Sequence, residues 1–513
     1  MRLNIFSIPF AETDSCIKKL VSSGTTIIKD VDQSGWHGSF YYSSDPHPVP
    51  VVWGKTFADF FTDGVQPPRN LSFWGAFVFV KENRCLVVSY GKAHFYLRPF
   101  CDYDFGIEVA KRIANDADAR LTAGRRFQGT KKKDIKSFTN NTRLDIESGE
   151  SVDYIQAGIV DGLRHTFGMT GRFGASVMLA PDIDKAGIGA FLDKLEAELA
   201  KKARFPLPRT IALTEKDEIA RVDELLLDEL TMGLQTTDFT NNSFDLYGVD
   251  FVFGDEGSFS IKAPRKKAIE VDRLSVGDLK KYISENKIDR KDILKITVSH
   301  QPEDVPGFDK PLKETLDFIA DGENIILSGG KWMHFNQDYL DFLDNFLRSI
   351  EVEETEEQFQ EISDDEPTFN ASAAVKAAGY EVADKNFKIL RTKAKTPIEA
   401  WDLKKGSTVY AVKFATAQKL SYVCDQAMAV LELKRNHAGA KKLPDFDRYC
   451  LWLGYRSKTP LDDITKTGSI ILKQKLETWA RKAREVGVEP VIKISQKVRQ
   501  EVVTVEGKEE SAK

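Results

Sequence analysis

The stretch IEAWDLKKGSTVYAVKF, residues 398–414, contains the pattern that decides the fold assigned to the carboxy-terminal part of the chain. Two runs typical of β-strands, 398–403 and 408–414, flank the residues 404–407, whose Gly-Ser end is typical of a turn. The sequence therefore predicts a β-hairpin, and the elements around it decide which fold contains that hairpin.

Helices and strands alternate on both sides of the hairpin, so that the predicted order is α-β-β-β-α-β-α-β. This order resembles the restriction-endonuclease-like core, the PD-(D/E)xK nuclease fold. The predicted elements, in chain order, are a helix at 370–378, strands at 387–391, 398–403 and 408–414, a helix at 417–435, a strand at 449–455, a helix containing Leu472, Leu476 and Trp479, and a strand at 488–494.

The resemblance implies a catalytic site at one edge of the sheet. In such folds an acid on the second strand and an acid-x-Lys pattern on the third strand meet, and carboxylates there hold magnesium. Asp402 and Glu399 are therefore the candidate catalytic residues and metal ligands, and Lys413 is the candidate contact to phosphate or water. Gln426, on the following helix, is the candidate residue that orients them.

The third strand departs from the nuclease pattern at Ala411, which stands where the pattern has an acid. The site lacks one metal ligand unless Glu399 or the upstream Glu366 supplies it. Three interpretations stay open: a metal-dependent nuclease, a degenerate module that binds nucleic acid without cleaving it, and a purely structural role. In the structural case Asp402 only begins a turn, and Lys413 lies at the rim of a sheet with its charge in water.

Charge is distributed unevenly along the chain. Residues 351–366 contain nine carboxylates and no Lys or Arg, whereas residues 367–513 contain 28 basic and 17 acidic side chains. We expect a basic module joined by an acidic linker, and a polyanionic partner for that module. The predicted domains are a strand-rich α+β domain at 1–150, a mixed α/β domain at 151–350, the linker at 351–366 and the basic module at 367–513.

The amino-terminal part is predicted to combine strands and helices, so that the whole chain is α+β and multidomain. A hairpin is expected over 72–90 with its turn at 81–83, and a helix over 104–115. Asn336 is predicted to cap the helix that follows it.

A basic segment lies between Arg120 and Arg143, where Asp134 is the single acid and aromatic residues are interleaved. This composition suits contacts with a phosphate backbone, and an ordinary solvated loop explains it equally well. The candidate nucleic-acid-binding residues are Arg120, Arg125, Arg126, Lys131, Lys132, Lys133, Lys136 and Arg143.

Other features exclude several classes of protein. The five cysteines form no CxxC pair, which fits a reducing cytoplasm better than a disulfide framework or a structural zinc site. No apolar run is long enough to span a membrane, and the first residues do not have the composition of a signal peptide. The seven histidines show no metal-ligand spacing, and no GxxxxGK[ST] loop occurs. We therefore expect a cytoplasmic protein.

Several segments resemble the bacterial "sporadically distributed protein" family, also described as DUF6119. Two of the family's histidine positions hold Ala411 and Tyr422 in this chain, whereas Glu399, Asp402, Lys413 and Gln426 match. The resemblance implies a bacterial protein whose genes are scattered among genomes, as defence genes are. The resembling segments are 104–110, 327–340, 398–403, 409–413 and 420–426.

Two functional hypotheses follow. In the first, the protein acts on DNA or RNA in bacterial anti-phage defence, with a magnesium-dependent nuclease-like module that is active or degenerate. In the second, it is a non-catalytic binding or assembly protein of a defence system that holds nucleic acid with the basic module and the segment from Arg120 to Arg143. Beyond these two stands a further possibility, a protein-interaction effector whose acidic segment masks the basic module until it is triggered.

Overall fold

The structure is a computed structural model in which the chain forms two compact units and belongs to the α+β class. The described residues up to 126 and from 133 to 212 form the first unit, and Phe127 with the described residues from 213 onward forms the second. The described ranges are 1–45, 48–51, 53–54, 57–61, 65, 68–127, 133–232, 237–239, 258–271, 274–301, 308–383, 390–391, 397–398, 401–435, 443, 445–457 and 460–498.

The first unit is built on a ten-stranded sheet with the order β2-β3-β6-β7-β1-β12-β11-β10-β8-β9. The first unit contains thirteen described strands, ten of which form this sheet: β1 (Leu3–Ile8), β2 (Thr26–Gln33), β3 (Trp36–Tyr42), β4 (Val49–Pro50), β5 (Arg69–Asn70), β6 (Gly75–Lys81), β7 (Arg84–Tyr90), β8 (Ala114–Arg126), β9 (Lys133–Thr142), β10 (Glu150–Ile159), β11 (Thr170–Phe173), β12 (Val177–Leu179) and β13 (Thr210–Ala212). Its helices are α1 (Thr13–Ser22), α2 (Ala93–Leu97), α3 (Phe105–Ile113), α4 (Arg164–Phe167) and α5 (Ile188–Leu199).

Both faces of this sheet are apolar and both are covered by helices. Alternation along β1 places Leu3 and Ile5 in a core with α3 and α5, and Phe6 and Ile8 in a core with α1 and α2. The helix α3 packs very closely against the segment between β11 and β12. A Cβ atom on Gly106 would be 2.1 Å from the carbonyl oxygen of Gly174. Only glycine permits that approach.

Local predictions in this unit are confirmed, whereas the domain boundary differs. The hairpin over 72–90 is β6 and β7, and the helix over 104–115 is α3. The predicted boundary at residue 150 falls at the start of β10, which pairs with β8 on one side and β11 on the other. Residues 151–212 therefore complete the first unit, because strand pairing joins them to the preceding residues.

The second unit begins with two small sheets and ends with a larger one. Its strands are β14 (Thr237–Phe239), β15 (Ser258–Lys262), β16 (Ile269–Val271), β17 (Thr297–Gln301), β18 (Phe308–Pro311), β19 (Leu316–Ala320), β20 (Ile325–Ser328), β21 (Lys331–Phe335), β22 (Glu351–Glu353), β23 (Glu361–Ile362), β24 (Glu381–Val382), β25 (Leu390–Arg391), β26 (Pro397–Ile398), β27 (Leu403–Lys405), β28 (Thr408–Ala415), β29 (Arg448–Tyr455) and β30 (Glu489–Lys497). Its helices are α6 (Lys216–Met232), α7 (Val276–Glu285), α8 (Arg290–Ile293), α9 (Gln337–Leu347), α10 (Glu366–Ala371), α11 (Ala373–Ala377), α12 (Ala417–Arg435) and α13 (Ile470–Glu485).

The larger sheet has the order β22-β30-β29-β28-β27-β24, with β23 also paired to β30. The strands β28, β29 and β30 are parallel, and the helices α12 and α13 connect them. Apolar side chains of α9, α12 and α13 cover one face, and those of α10 and α11 cover the other. We call residues 337–497 the C-terminal module.

Most elements predicted for the C-terminal module occur, but its first strands differ from the prediction. The helix over 417–435 is α12, and Asn336 caps α9 by accepting a hydrogen bond from the Tyr339 backbone N–H at 2.9 Å. Within the predicted strands 387–391 and 398–403, β25 and β26 form a separate two-stranded ribbon, and β27 begins only at Leu403. The short strand β24 takes the outer place in the sheet.

The acidic segment, residues 351–366, is part of the C-terminal module rather than a linker before it. Its strands β22 and β23 pair in parallel with β30, and its last residue, Glu366, begins α10. Its carboxylates form ion pairs with basic residues of the same module, including Glu351 with Arg448 at 2.6 Å. The abrupt change of charge along the sequence therefore marks two complementary surfaces of one fold, which explains why the predicted boundaries differ.

Lys493 of β30 is the centre of these ion pairs. Its side chain is 0% exposed, and its ammonium lies 2.8 Å from a carboxylate oxygen of Glu353 and 2.7 Å from one of Glu356. It also donates to the Tyr380 hydroxyl at 2.9 Å, while the Tyr410 hydroxyl donates to Glu353 at 3.0 Å. A charged group without water must be paired, so β30 requires the acidic segment beside it.

These contacts change the ionisation of the groups around Lys493. Burial acts to raise the pKa of Glu356, but hydrogen bonds from Lys493 and Tyr380 outweigh it and lower that pKa to about 2. Burial and the adjacent carboxylates raise the pKa of Tyr380 and of Tyr410, so both hydroxyls remain donors. The cluster therefore keeps the Glu356 carboxylate ionised beside the Lys493 ammonium.

Two further findings concern the whole chain. All five cysteines are buried and none forms a disulfide bond. Among the described residues, no helix combines the length and the apolar character needed to cross a membrane.

We predict that Lys493→Met lowers the free energy of unfolding by roughly 3 kcal/mol, because it leaves Glu353 without its cation and Glu356 with only the more exposed Lys405. Urea titration followed by circular dichroism measures the change. The control is Lys466→Met, which removes an exposed pair with Asp462 and should leave the free energy of unfolding nearly unchanged. Equal effects of the two substitutions would show that the buried pair does not hold the acidic segment.

We also predict that Glu356 makes the free energy of unfolding depend on pH, and that Glu356→Gln removes this contribution. Because the pKa of Glu356 in the folded chain is about 2, below its ordinary 4.5, its charge stabilises the fold above about pH 4.5. The difference in unfolding free energy between wild type and Glu356→Gln should be constant above that pH and shrink as pH falls towards 2. Urea titrations at several pH values test this, and a difference that does not vary with pH would contradict it.

Candidate functional site

The candidate site lies where β27 and β28 separate. The two strands pair from Lys405 and Thr408 as far as Leu403 and Tyr410, and the Asp402 backbone N–H still donates to the Tyr410 carbonyl at 2.8 Å. Beyond Tyr410 no strand of the described chain borders this edge of β28. Its backbone N–H groups therefore need other acceptors.

Two carboxylates supply those acceptors. Asp402 Oδ2 accepts a hydrogen bond from the Val412 backbone N–H at 2.7 Å, and Glu366 Oε1 accepts one from that of Phe414 at 2.8 Å. These two N–H groups lie two residues apart on one strand, a separation of about 7 Å. Asp402 and Glu366 are thus neighbours along one open edge, although they are distant in the sequence.

Lys413 completes the arrangement. Its ammonium donates to Glu366 Oε2 at 2.8 Å, and its side chain is 34% exposed. Alternation places Lys413 on the same face of β28 as Ala411, and the open edge allows its side chain to reach Glu366. The structure therefore brings together Asp402, Lys413 and Glu366, two of which the sequence singled out as catalytic candidates.

The helix α10 fixes the position of Glu366. Asp365 caps this helix by accepting a hydrogen bond from the Thr368 backbone N–H at 2.9 Å. Hydrogen bonding from the Thr368 side chain, and then from its backbone, lowers the pKa of Asp365. Phe369, in the same helix, packs edge-to-face on Phe414 with ring centroids 5.1 Å apart. Glu366 is therefore held at the first turn of an anchored helix.

The other candidates are placed differently. Glu399 lies outside the described residues. Gln426 is exposed on α12, and its side chain forms no hydrogen bond with the described part of the chain. Ala411 is buried among apolar residues of α12 and α13, so an acid at this position would lie in the core. Tyr422 is exposed on α12, with the Lys475 ammonium 5.5 Å from its ring centroid.

The donor atoms at this site would give a magnesium ion only a small number of protein ligands. Asp402 and Glu366 offer carboxylate oxygens, and magnesium commonly takes one or two carboxylates and completes its shell with water and substrate oxygens. Among the described residues, no group of three or more His, Cys, Asp or Glu side chains is arranged to hold a metal ion.

Further cations lie at the carboxyl ends of β29 and β30, the parallel strands that follow β28 in the sheet. The Arg456 backbone N–H donates to the carbonyl of Ala415, the last residue of β28, at 2.9 Å, and the Arg456 side chain is exposed. Lys497 donates to the Ser363 carbonyl at 2.5 Å, and burial together with the charge of Arg456 lowers its pKa. A phosphate group at this end of the sheet would meet positive charge.

The basic segment of the first unit lies mainly on β8 and β9, and much of its charge is compensated by acids of the same unit. Lys136 donates to Glu150 at 2.8 Å; burial acts to lower the pKa of Lys136, but Glu150 and Glu147 outweigh it and raise that pKa. Four arginines are paired as well: Arg125 with Asp153, Arg126 with Glu147, Arg120 with Asp118 and Arg143 with Asp116.

The remaining members of that segment lie wholly or partly outside the described residues. Lys131 and Lys132 are not described, and the side chain of Lys133 is not described either. The five described cations stabilise β-strands of the first unit, which reduces the charge they offer to a nucleic acid.

Sequence reasoning did not identify the buried Lys493 cluster. A lysine between Ile492 and Ile494 in a strand of otherwise buried residues is the signal that could have indicated it. Such a lysine needs acidic partners, and the acidic segment is the densest local source of them.

Comparison with known proteins places the chain in a family. No curated protein and no solved structure matches it. A family profile with the description "Family of unknown function (DUF6119)" matches residues 8–443, a range that contains Asp402, Lys413 and Glu366. With most of its length matched, this chain belongs to the DUF6119 family.

Proposed function

We propose that this protein acts on DNA or RNA in bacterial anti-phage defence, and that its C-terminal module is a restriction-endonuclease-like nuclease. The observation that carries the proposal is the meeting of Asp402, Glu366 and Lys413 along the open edge of β28. The element order from β27 to β30 supports it, because two strands, a helix, a strand, a helix and a strand follow one another there.

Each side chain has a role in this proposal. Asp402 and Glu366 would hold magnesium, which supplies a Lewis acid that polarises a phosphodiester. The backbone N–H groups of Val412 and Phe414 orient the two carboxylates. Lys413, which Glu366 keeps at the edge, offsets the negative charge that develops on the phosphate or positions the attacking water. Glu366 thus replaces the acid that is missing at Ala411.

The biological setting is also proposed. The scattered occurrence implied by the family resemblance supports a role in defence, in which other proteins of the system would be partners. The cytoplasm is the proposed location. The cations at Arg456 and Lys497 support a polyanionic substrate, because they lie at the carboxyl ends of β29 and β30, which follow β28 in the parallel part of the sheet.

We predict that purified protein cleaves plasmid DNA or RNA in the presence of Mg²⁺ or Mn²⁺, and that chelation stops the reaction. Asp402→Ala, Glu366→Gln and Lys413→Ala should each lower the rate about 100-fold or more while circular dichroism stays unchanged, since each removes a charge at the reacting phosphate. The control, Lys376→Ala, removes an exposed cation of the same module and should leave the rate unchanged. Wild-type protein that cleaves no nucleic acid with any divalent metal would contradict the nuclease.

A second function is binding without cleavage. It is favoured by the hydrogen bonds that already occupy Asp402 and Glu366, and by the lack of a three-ligand group among the described residues. In this case the carboxylates serve only to satisfy the edge of β28. Arg456 and the other cations then bind a phosphate backbone without any metal.

For this second function we predict an affinity for nucleic acid that falls at least tenfold between 50 and 200 mM salt and does not respond to chelator. Arg456→Glu should weaken binding about tenfold, because it reverses a charge beside the strand ends. The control is Lys376→Glu, which changes the charge by the same amount on α11. Fluorescence anisotropy with labelled oligonucleotides measures both, and binding that is absent or independent of salt would contradict it.

A further inference from the structure

A cleft of about 430 Å³ opens in the first unit between the end of α3, the turn after β10 and the end of α5. Arg112 of α3 lines it together with three cations that follow α5, namely Lys201, Lys202 and Arg204. Its size falls within the range of pockets that bind small molecules. None of these residues belongs to the candidate site of the C-terminal module.

Backbone hydrogen bonds join the walls of this cleft to α3. The Val160 N–H donates to the Ile113 carbonyl at 3.0 Å, and the Arg204 N–H donates to the Lys111 carbonyl at 2.8 Å. The Arg112 Nε also donates to the Lys201 carbonyl at 2.9 Å, which gives one of the carbonyls after α5 a hydrogen-bond donor. The cleft is therefore built on rigid elements rather than on a loop alone.

The cleft carries a net positive charge, because four basic and two acidic side chains line it. Both acids are already paired: Asp161 lies 2.8 Å from Arg164, and Glu198 lies 2.6 Å from Lys201. Lys202 and Arg204 form no ion pair with any residue that the structure describes. Two cations are thus available to an incoming anion.

Arg112 adds further donors to the wall. Its Nη1 donates to the carbonyl and to the carboxylate of Glu108, both at 2.7 Å, and its side chain is only 17% exposed. Its Nη2 donates to no atom in the described part of the chain. A guanidinium that is fixed by two of its nitrogens and has its third available is suited to bind an oxygen of a phosphate group.

We propose that this cleft binds a small molecule that carries a diphosphate or longer phosphate chain. Two unpaired cations and the free nitrogen of Arg112 match a ligand with at least two negative charges. Leu163, which also lines the cleft, offers apolar surface to the remainder of the ligand. The site is independent of any nuclease activity, since it lies in the first unit.

Isothermal titration calorimetry of the full chain with pyrophosphate and with ATP tests this proposal. We expect saturable binding of one ligand per chain, weakened at least tenfold in the double variant Lys202→Glu/Arg204→Glu. Gly162→Leu should weaken binding without altering any charge. A Cβ atom on Gly162 meets no atom within 4 Å, so the larger side chain fits without strain and narrows the cleft.

The matched control is Lys185→Glu/Lys194→Glu, which makes the same change of charge at two exposed lysines of the first unit outside the cleft. Binding within twofold of wild type is expected for this control. Three results would overturn the proposal: no saturable binding of either probe at millimolar concentration, equal weakening by the control, or displacement of pyrophosphate from the same residues by a single-stranded oligonucleotide. The last result would indicate a surface contact for nucleic acid instead.

Discussion

The buried ammonium of Lys493 is the constraint on which the C-terminal module depends. A lysine without contact to water is tolerated only when acceptors surround it, and the acceptors here are Glu353, Glu356 and the Tyr380 hydroxyl. The two glutamates can reach it only if the acidic segment lies along β30. That docking in turn determines where α10 begins, and α10 carries Glu366 to the open edge of β28.

The order of charges along the sequence therefore does not show which charges lie together in the fold. Nine carboxylates followed by a basic region suggested two separate parts with a linker between them. In the folded chain Glu351 binds Arg448, Glu356 binds Lys405 as well as Lys493, and the two regions neutralise each other at short range. Parallel strand pairing of β22 and β23 with β30 adds to these ion pairs.

Sequence patterns were sufficient where one element's own residues decide its structure. The apolar spacing of α12, the turn between β6 and β7 and the cap at Asn336 depend on neighbours within a few residues, and all three were predicted. Strand pairing depends on partners that are distant in the sequence. Local patterns therefore do not show that β10 pairs with β8 and β11, or that β25 pairs with β26.

At the candidate site, too, nearby sequence predicts some of the residues, whereas others come from a distant part of the chain. The motif pattern on two predicted strands identified Asp402 and Lys413, but it also required an acid at Ala411, whose side chain lies in the core. The open edge of β28 imposes a different requirement, since its N–H groups need acceptors wherever these come from in the chain. Glu366, on a helix 47 residues before Lys413, meets that requirement and pairs with the lysine as well. The free edge, more than the spacing of a motif, thus determines which acids converge, and a search for nuclease-like sites should begin from such edges.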